Sequence, residues 1–558
     1  RKGILRCGKG TEQTVLHLDF GRIVGHYHYA PLSIGMYAKG HELATDLGYL
    51  GSTHYLTTSW IKQFASHNTV LLRREDGDHS GMRYLRGDLR TFKSTPAIQF
   101  MDAAENDVAD WQKATFAKPG VYQRTVALIQ VGDNAYGLDL FRVRGGKMHD
   151  YFFHAAGNTL EIDGAALTPD PVPDKDLYEW SGFSFPCKPK MDLRHIRELR
   201  AGTAPSGWTA TWRDITDWRS KPPRRDPDAA LRLWMTAGPE TQLIAGSAPN
   251  QRYIDTRDFG ERLQVLCARR TGQEALDTFV GVLEPYRGQP FIEAVTRLPV
   301  TGGDETAVCV KVMTEARTDY HLAWNRRQEG ASLSVVDGSV TLTTDAEFAS
   351  CSMEAGEPTS LFMVGGTSLT ANNAALRLDT PAYTGRILAF NDLQDTLTLE
   401  ADGVLPTSTA LLGQVIVIQH RKDRSTFTIN RISRLEGARY RVHLAHTPHI
   451  AANHVLVRDV KGSKAIVEPR LVLAKGAFNL YRIAEDGSAK LLEPWNGERG
   501  HKTYADEWGA RLLSLQKLHV TKAAKRLAPG DRLALAHTEI GHDTFRITNS
   551  AYVQSTKQ

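Results

Sequence analysis

Hydrophobic and polar positions alternate with a period of two along most of this chain, in short runs bounded by Gly, Pro, Asn and Asp. Successive side chains of a strand point to opposite faces, so these runs predict antiparallel strands with one buried face. Leu16/Leu18/Phe20, Val126/Leu128 within 121–131, Leu138/Leu140, Val308/Val310/Val312, Ile416/Ile418, Tyr440/Val442/Leu444 and Leu533/Leu535 are the plainest cases. Asp337-Gly338 and Asp402-Gly403 stand between such runs and predict tight hairpin turns, whose central residues need positive φ. Helical periodicity is scarce. The best stretch is 190–200, stopped by Gly202. No segment repeats at a fixed period, and none is of low complexity.

This many strands can bury a face each only if sheets stack or close, so the fold class predicted is all-β. A large antiparallel β-sandwich over 1–380 is expected, followed by a smaller C-terminal β-sandwich domain over 381–558. The boundary is set near Thr380-Pro381-Ala382, beyond which the strands become shorter and more evenly spaced. The competing linker is Glu284-Pro285-Tyr286-Arg287-Gly288-Gln289-Pro290.

Composition narrows the function classes. With 558 residues, 41% hydrophobic and 23% charged, the chain is ordinary globular protein, which excludes collagen-like and largely disordered sequences. The 68 Lys+Arg against 63 Asp+Glu leave a charge of +5, with signs interleaved as in Arg73-Arg74-Glu75-Asp76. A nucleic-acid surface concentrates its basic residues, so nucleic acid is disfavoured as a partner. No apolar run approaches the roughly 18–20 residues of a membrane helix, and no membrane span is expected. Cys7, Cys187, Cys267, Cys309 and Cys351 include no C-x-x-C pair, and each reads as a small buried apolar side chain. The segment Arg1-Lys2-Gly3-Ile4-Leu5-Arg6 has neither an initiator Met nor the pattern of a signal peptide, so a mature, processed or truncated chain is expected.

The densest chemistry lies in the first 70 residues: Gly25-His26-Tyr27-His28, Thr45-Asp46-Leu47-Gly48 and Ser66-His67-Asn68-Thr69-Val70. Imidazole nitrogen and carboxylate oxygen are the usual non-sulfur ligands of zinc. His26 and His28 share a face if the segment is extended. Leu32/Ile34/Met36, a turn at Lys39-Gly40 and a return through Leu43 predict a hairpin that carries Asp46 back toward His28. In a chain with 20 histidines the same residues also read as ordinary hydrogen-bonded imidazoles. A cupin would need a glutamate where Leu32 and Ser33 stand, and an H-x-H-x-D-H site would need Asp and His at Ala30 and Pro31.

The ordered set resembles the heparinase II/III-like C-terminal β domain of polysaccharide lyases. Its elements stand here as Asp19-Phe20-Gly21, His26-Tyr27-His28, Tyr37-Ala38-Lys39-Gly40-His41-Glu42-Leu43, Asp46-Leu47-Gly48 and His67-Asn68-Thr69-Val70. Gly137–Val143, Tyr151–His154 and Glu284-Pro285-Tyr286 also look like strands of this family, which argues against a boundary at 284–290. The resemblance implies that His28, Asp46 and His67 bind a zinc, structural or catalytic, and that His26 faces the substrate cleft. The family often continues H-x-H with small-Asp-Gln, where Tyr29, Ala30 and Pro31 stand here. It also often has an aspartate after H-N-T-V, where Arg73-Arg74 stand.

Such lyases cleave uronic-acid-containing acidic glycans, heparin- or heparan-like, alginate or related, by β-elimination. The tyrosine and the carboxylate-neutralising residue of that chemistry come from an N-terminal α/α toroid in the family. The chain is therefore expected to be the C-terminal portion of a longer, periplasmic or secreted lyase, with His26 as its share of proton transfer. Homo-oligomerisation is left open. Arg73, Arg74 and Tyr27 are the candidate substrate contacts, since guanidinium groups grip carboxylates and sulfates. Arg83, Tyr84 and Arg86 are weaker ones, and all these basic residues also read as a solvated loop. Trp60, Trp111, Trp180, Trp208 and Trp212 read as core or as sugar platforms, and the cluster His443, His446 and His449 as ordinary. The alternative from another class is a non-catalytic carbohydrate-binding β module that keeps a structural metal site.

Overall fold

A computed structural model of the chain describes residues 2–20, 28–48, 56–73, 82, 85, 87–105, 120–169, 195–217, 223–250, 262–271, 275–325, 330–391, 393–420, 424–445, 453–468, 479–493, 516–519, 526–536 and 538–554. Among them the fold is nearly all β, and every sheet pairing is antiparallel. Two compact units emerge, one made of 1–381 with 549–558 and one of 382–548.

The first unit opens with a four-stranded sheet in the order β1 (Lys2–Cys7), β2 (Thr14–Asp19), β3 (Ile34–Ala38) and β4 (His41–Ala44). An eight-stranded sheet runs through Gly157–Asp163, Trp208–Asp217, Arg224–Met235 and Asp277–Arg287. It continues into β9 (Asn134–Arg144), β8 (Val121–Val131), β7 (Ile98–Glu105) and β6 (Gly87–Ser94). A six-stranded sheet ends in β10 (Met148–His154) beside β5 (Val70–Arg73), the strand that follows His67. A further six-stranded sheet, Ile292–Leu298 through Glu357–Val364 to Ser550–Gln554, covers the eight-stranded one. Val308, Val310 and Val312 meet Leu138, Leu140, Val280 and Val282, while Cys309, between them, faces a second core with Leu333 and Leu342. Period two thus serves two buried faces at once.

The second unit is a closed six-stranded barrel with a six-stranded sheet. The barrel encloses Ile387, Leu397, Leu399, Ile416, Ile418, Val442 and Phe545. This corrects the expected C-terminal sandwich: strand Thr544–Thr548 pairs with both Ala382–Asn391 and Val415–Gln419, and so closes the sheet on itself. The last strand, Ser550–Gln554, leaves this unit and pairs with Glu357–Val364 in the first, so 381–558 is not one domain to its end.

Two local expectations also fail. Residues 197–204 form a strand, not the end of a helix, and 190–194 lie outside the described residues. The register against Thr241–Pro249 shifts between Arg197 and Arg200, with Glu198 at φ 56°. That bulge spaces the buried Ile196 and Leu199 by three instead of two, which imitates a helical period. Asp402-Gly403 begins a longer connection that contains a helical turn at Thr409–Leu411 and is no hairpin turn. At the other Asp-Gly pair a tight hairpin does form, centred on Gly338-Ser339 because Asp337 pairs with Val340.

Candidate metal centre

The hairpin of β3 and β4 turns at Lys39-Gly40, both at positive φ (55° and 81°), as a two-residue hairpin turn requires. It returns the chain so that Asp46 follows β4 by two residues. Gly48 N–H donates to Asp46 Oδ1 at 2.9 Å, and this fixes the carboxylate with Oδ2 turned to the imidazoles. His154 Nε2 donates to the Thr45 carbonyl at 3.0 Å and steadies the same segment.

His67 follows a short helical turn, Phe64–Ser66, and its own N–H donates to the Phe64 carbonyl at 3.1 Å. Its side chain is 1% exposed. His28 arrives from the segment before β3, which is laced to the His67 loop. Tyr29 N–H donates to the Lys62 carbonyl at 2.8 Å, Ile34 N–H to Asn68 O at 3.2 Å, and the Thr69 hydroxyl to Pro31 O at 2.5 Å. The Tyr29 and Phe64 rings stack with centroids 5.5 Å apart.

Beneath these loops lies fully buried Arg124 on β8. It donates to the carbonyls of Leu32 (2.7 Å) and Asn68 (2.6 Å), and grips Asp139 of β9 through Nε (2.7 Å) and Nη2 (2.6 Å). Tyr151 donates to the same carboxylate at 2.8 Å, and Tyr122 donates to the Val70 carbonyl at 2.8 Å. The sequence reading missed these positioning residues. The signal was present: Arg124 lies in phase with Tyr122, Val126 and Leu128, a charge at a position the alternation assigns to the buried face. Also passed over was His17, whose ring lies across Gly35, where an added Cβ would stand 2.2 Å from Cε1. A glycine inside a strand marks such a close approach.

The result is a cluster in which one ligand atom each of His28, Asp46 and His67 lies within 4.8 Å of the others. Asp46 Oδ2 is 3.4 Å from His28 Nδ1 and 3.7 Å from His67 Nδ1. These are long for charge-assisted hydrogen bonds, which run to about 2.9 Å. Ligands at about 2.0–2.1 Å from a tetrahedral ion stand about 3.3 Å apart, so the separations suit a shared cation. Electrostatics agree with the donor set. Burial drives the His67 imidazole down to about 3 against the pull of Asp46, so at neutral pH the ring is uncharged and one of its nitrogens keeps a free lone pair. Burial alone would raise the Asp46 carboxyl, but contact with His28 and the charges that both imidazoles carry once protonated hold it well below the usual carboxylate range.

Other candidates are placed differently. Arg73 is not a surface residue: it is fully buried, with Nε 2.7 Å from Asp150 Oδ2, and Arg269 holds the other oxygen of that carboxylate at 2.7 Å. Substrate contact by Arg73 is therefore corrected to a buried ion pair. Trp60, Trp208 and Trp212 belong to the core, with Trp60 donating to Pro249 O and Trp212 to Gln264 O. His26, Tyr27, Arg74, Arg83, Tyr84, Arg86, Trp111, Trp180, Cys187, His446 and His449 lie outside the described residues. The other four cysteines are buried and free.

Residues 4–183 match the family model described as Heparinase II/III-like, C-terminal. The match includes every element from Asp19 to Val70, as well as Gly137–Val143 and Tyr151–His154, and stops short of Glu284-Pro285-Tyr286. No curated protein matches the chain. Among solved structures it is similar to a heparinase III gene product at 11% identity and a TM-score of 0.36, over 57% of this chain and 40% of that one. It is also similar to heparan sulfate lyase HepC from Pedobacter heparinus at 11% identity and a TM-score of 0.34, over 60% and 40%. A galactose mutarotase related enzyme from Lactobacillus acidophilus aligns at 7% identity and a TM-score of 0.27, over 51% and 98%. The chain thus spans about two-fifths of the length of the heparinase III gene product and of HepC.

Proposed function

We propose that this chain is the β portion of a polysaccharide lyase that cleaves a uronic-acid-containing acidic glycan by β-elimination, and that His28, Asp46 and His67 would hold a zinc. The observation that carries the reading is the convergence of those three side chains inside the segment that matches the heparinase II/III-like model. A bound zinc would supply a double positive charge that locks the loops bearing its ligands against one another. β-Elimination needs the uronate carboxylate neutralised, the C5 proton removed and the departing O4 protonated. His26, two residues before His28, presents its imidazole to the glycan for proton transfer, and Tyr27 and Arg74 contact the acidic polymer. An N-terminal α/α toroid supplies the remaining groups, and the enzyme works in the periplasm or outside the cell on heparin- or heparan-like chains, alginate or a related polymer.

Metal analysis of the purified chain should find about one zinc per molecule, lost in His67→Ala. Incubation with acidic glycans should yield the ultraviolet absorbance of an unsaturated uronate, in this chain or in a longer product of its gene, and His26→Ala should abolish it. Zinc and glycan binding with no unsaturated product from either protein would instead identify a carbohydrate-binding module. Absence of zinc would remove the ligand assignment.

A further inference from the structure

In the second unit, His420 directly follows strand Val415–Gln419 and stands between a hydroxyl and a carboxylate. Its Nδ1 is 2.7 Å from Asp543 Oδ2, and its Nε2 is 3.0 Å from Ser425 Oγ. An ionised carboxylate only accepts, so Nδ1 carries the proton and Nε2 offers its lone pair to the serine hydroxyl. The carboxylate is itself oriented: the Glu539 N–H donates to the same Oδ2 at 2.6 Å, and the Asp543 N–H donates to the Glu539 carbonyl at 2.9 Å. The Asp543 carbonyl accepts from Ile387 N at 2.9 Å, and the His420 carbonyl accepts from Gln419 Nε2 at 2.7 Å. A nucleophile, a base and an orienting acid are thus held on three segments of one barrel.

Their place in the barrel gives this arrangement access. Ser425 pairs in register with Ile418, and Ile418 pairs in turn with Phe545, two residues after Asp543. Register partners project to the same face. Ser425 therefore shares the inward face of Ile418 and Phe545, which are buried, but is itself only partly buried, at the barrel's mouth. His420 is 6% and Asp543 2% exposed, so the base and its orienting acid are screened from water, while Ser425 is partly exposed. Barrel mouths are a common place for small-molecule sites.

We propose that Ser425, His420 and Asp543 form a second, hydrolytic site that cleaves carboxylic esters with a short acyl group. Ser425 Oγ bonds to the ester carbonyl carbon as its proton passes to His420 Nε2. The bond from that carbon to the alkoxy oxygen breaks, and the alcohol leaves with the proton from Nε2. Water then repeats the sequence on the acyl-serine, giving the carboxylic acid and restoring the hydroxyl. The short acyl group follows from the barrel interior beside Ser425, which the buried side chains of Ile418 and Phe545 occupy.

The test treats the full chain with a fluorophosphonate probe, read by intact mass and peptide mapping, alongside hydrolysis of p-nitrophenyl acetate. The expected result is a single phosphonyl adduct on Ser425, with labelling and hydrolysis falling at least about a hundredfold in His420→Ala, and both lost in Ser425→Ala. Asp543→Asn preserves size but favours the wrong imidazole tautomer, and should fall comparably. Far-UV circular dichroism of each variant separates loss of chemistry from loss of fold. No adduct on a folded wild-type chain, or labelling at Ser425 unchanged by His420→Ala, would overturn the proposal and leave the three side chains as a hydrogen-bonded staple.

Discussion

His321 is fully buried in the first unit, with Nε2 2.7 Å from the Tyr136 hydroxyl, which also lies 2.8 Å from Asp319 Oδ2. Burial drives its imidazole down to about 4, against the pull of Asp319 and with the help of Arg317. Between that value and the ordinary 6.5 the unfolded chain binds a proton that the folded chain refuses, so stability rises with pH across this window. Above it neither state is protonated and the contribution is flat. Unfolding free energy should therefore fall by up to about 3 kcal/mol from this group as pH drops from 6.5 to 4, at roughly 1.4 kcal/mol per unit. Urea titrations across that range should show a shallower fall for His321→Gln. Residue identity alone did not separate such groups from surface ones. Arg73 and Arg74 read alike in sequence, yet the first is sealed against Asp150 because it ends strand β5, whose four residues are all buried.

At the scale of elements, the site depends on loops that a single arginine ties together. Arg124→Ala would strip the Leu32 carbonyl of its side-chain donor, leave the Asn68 carbonyl with the Ile34 N–H, and leave the Asp139 charge buried with the Tyr151 hydroxyl as its side-chain donor among the described residues. Stripping a buried pair of one partner costs about 3–5 kcal/mol. Chemical denaturation should register that loss, and metal content should fall with it as the His28 and His67 segments loosen. The β3–β4 hairpin was legible because its alternation and its Lys39-Gly40 turn are local properties. The strand at 197–204 was not, because its bulge displaces the apolar period by one residue and only the partner strand reveals the shift.

Over the whole molecule, the chain leaves its first unit after residue 381 and comes back at 549. The returning strand, Ser550–Gln554, covers the edge of Glu357–Val364, and Tyr552 and Ala551 pack against the two cores on either side of that sheet. Truncation after Thr548 should destabilise the first unit and leave the barrel intact. Hydrogen exchange should speed up across Glu357–Val364 and stay unchanged across Val415–Gln419. An exposed, unpaired edge also templates association, so the truncated protein should aggregate on heating.

The sequence by itself determined the strand-rich class, most strand positions, the β3–β4 hairpin and the motif set from Asp19 to Val70, because alternation, turn chemistry and ordered motifs are written locally. Tertiary structure decided which charges are buried, where the bulge falls, how the barrel closes and to which unit the last strand belongs. It also joined His420, Ser425 and Asp543, which 118 positions separate from Ser425 to Asp543 (543 − 425). Those outcomes depend on pairing between distant strands, and a side chain's surroundings are set by the strands that cover it.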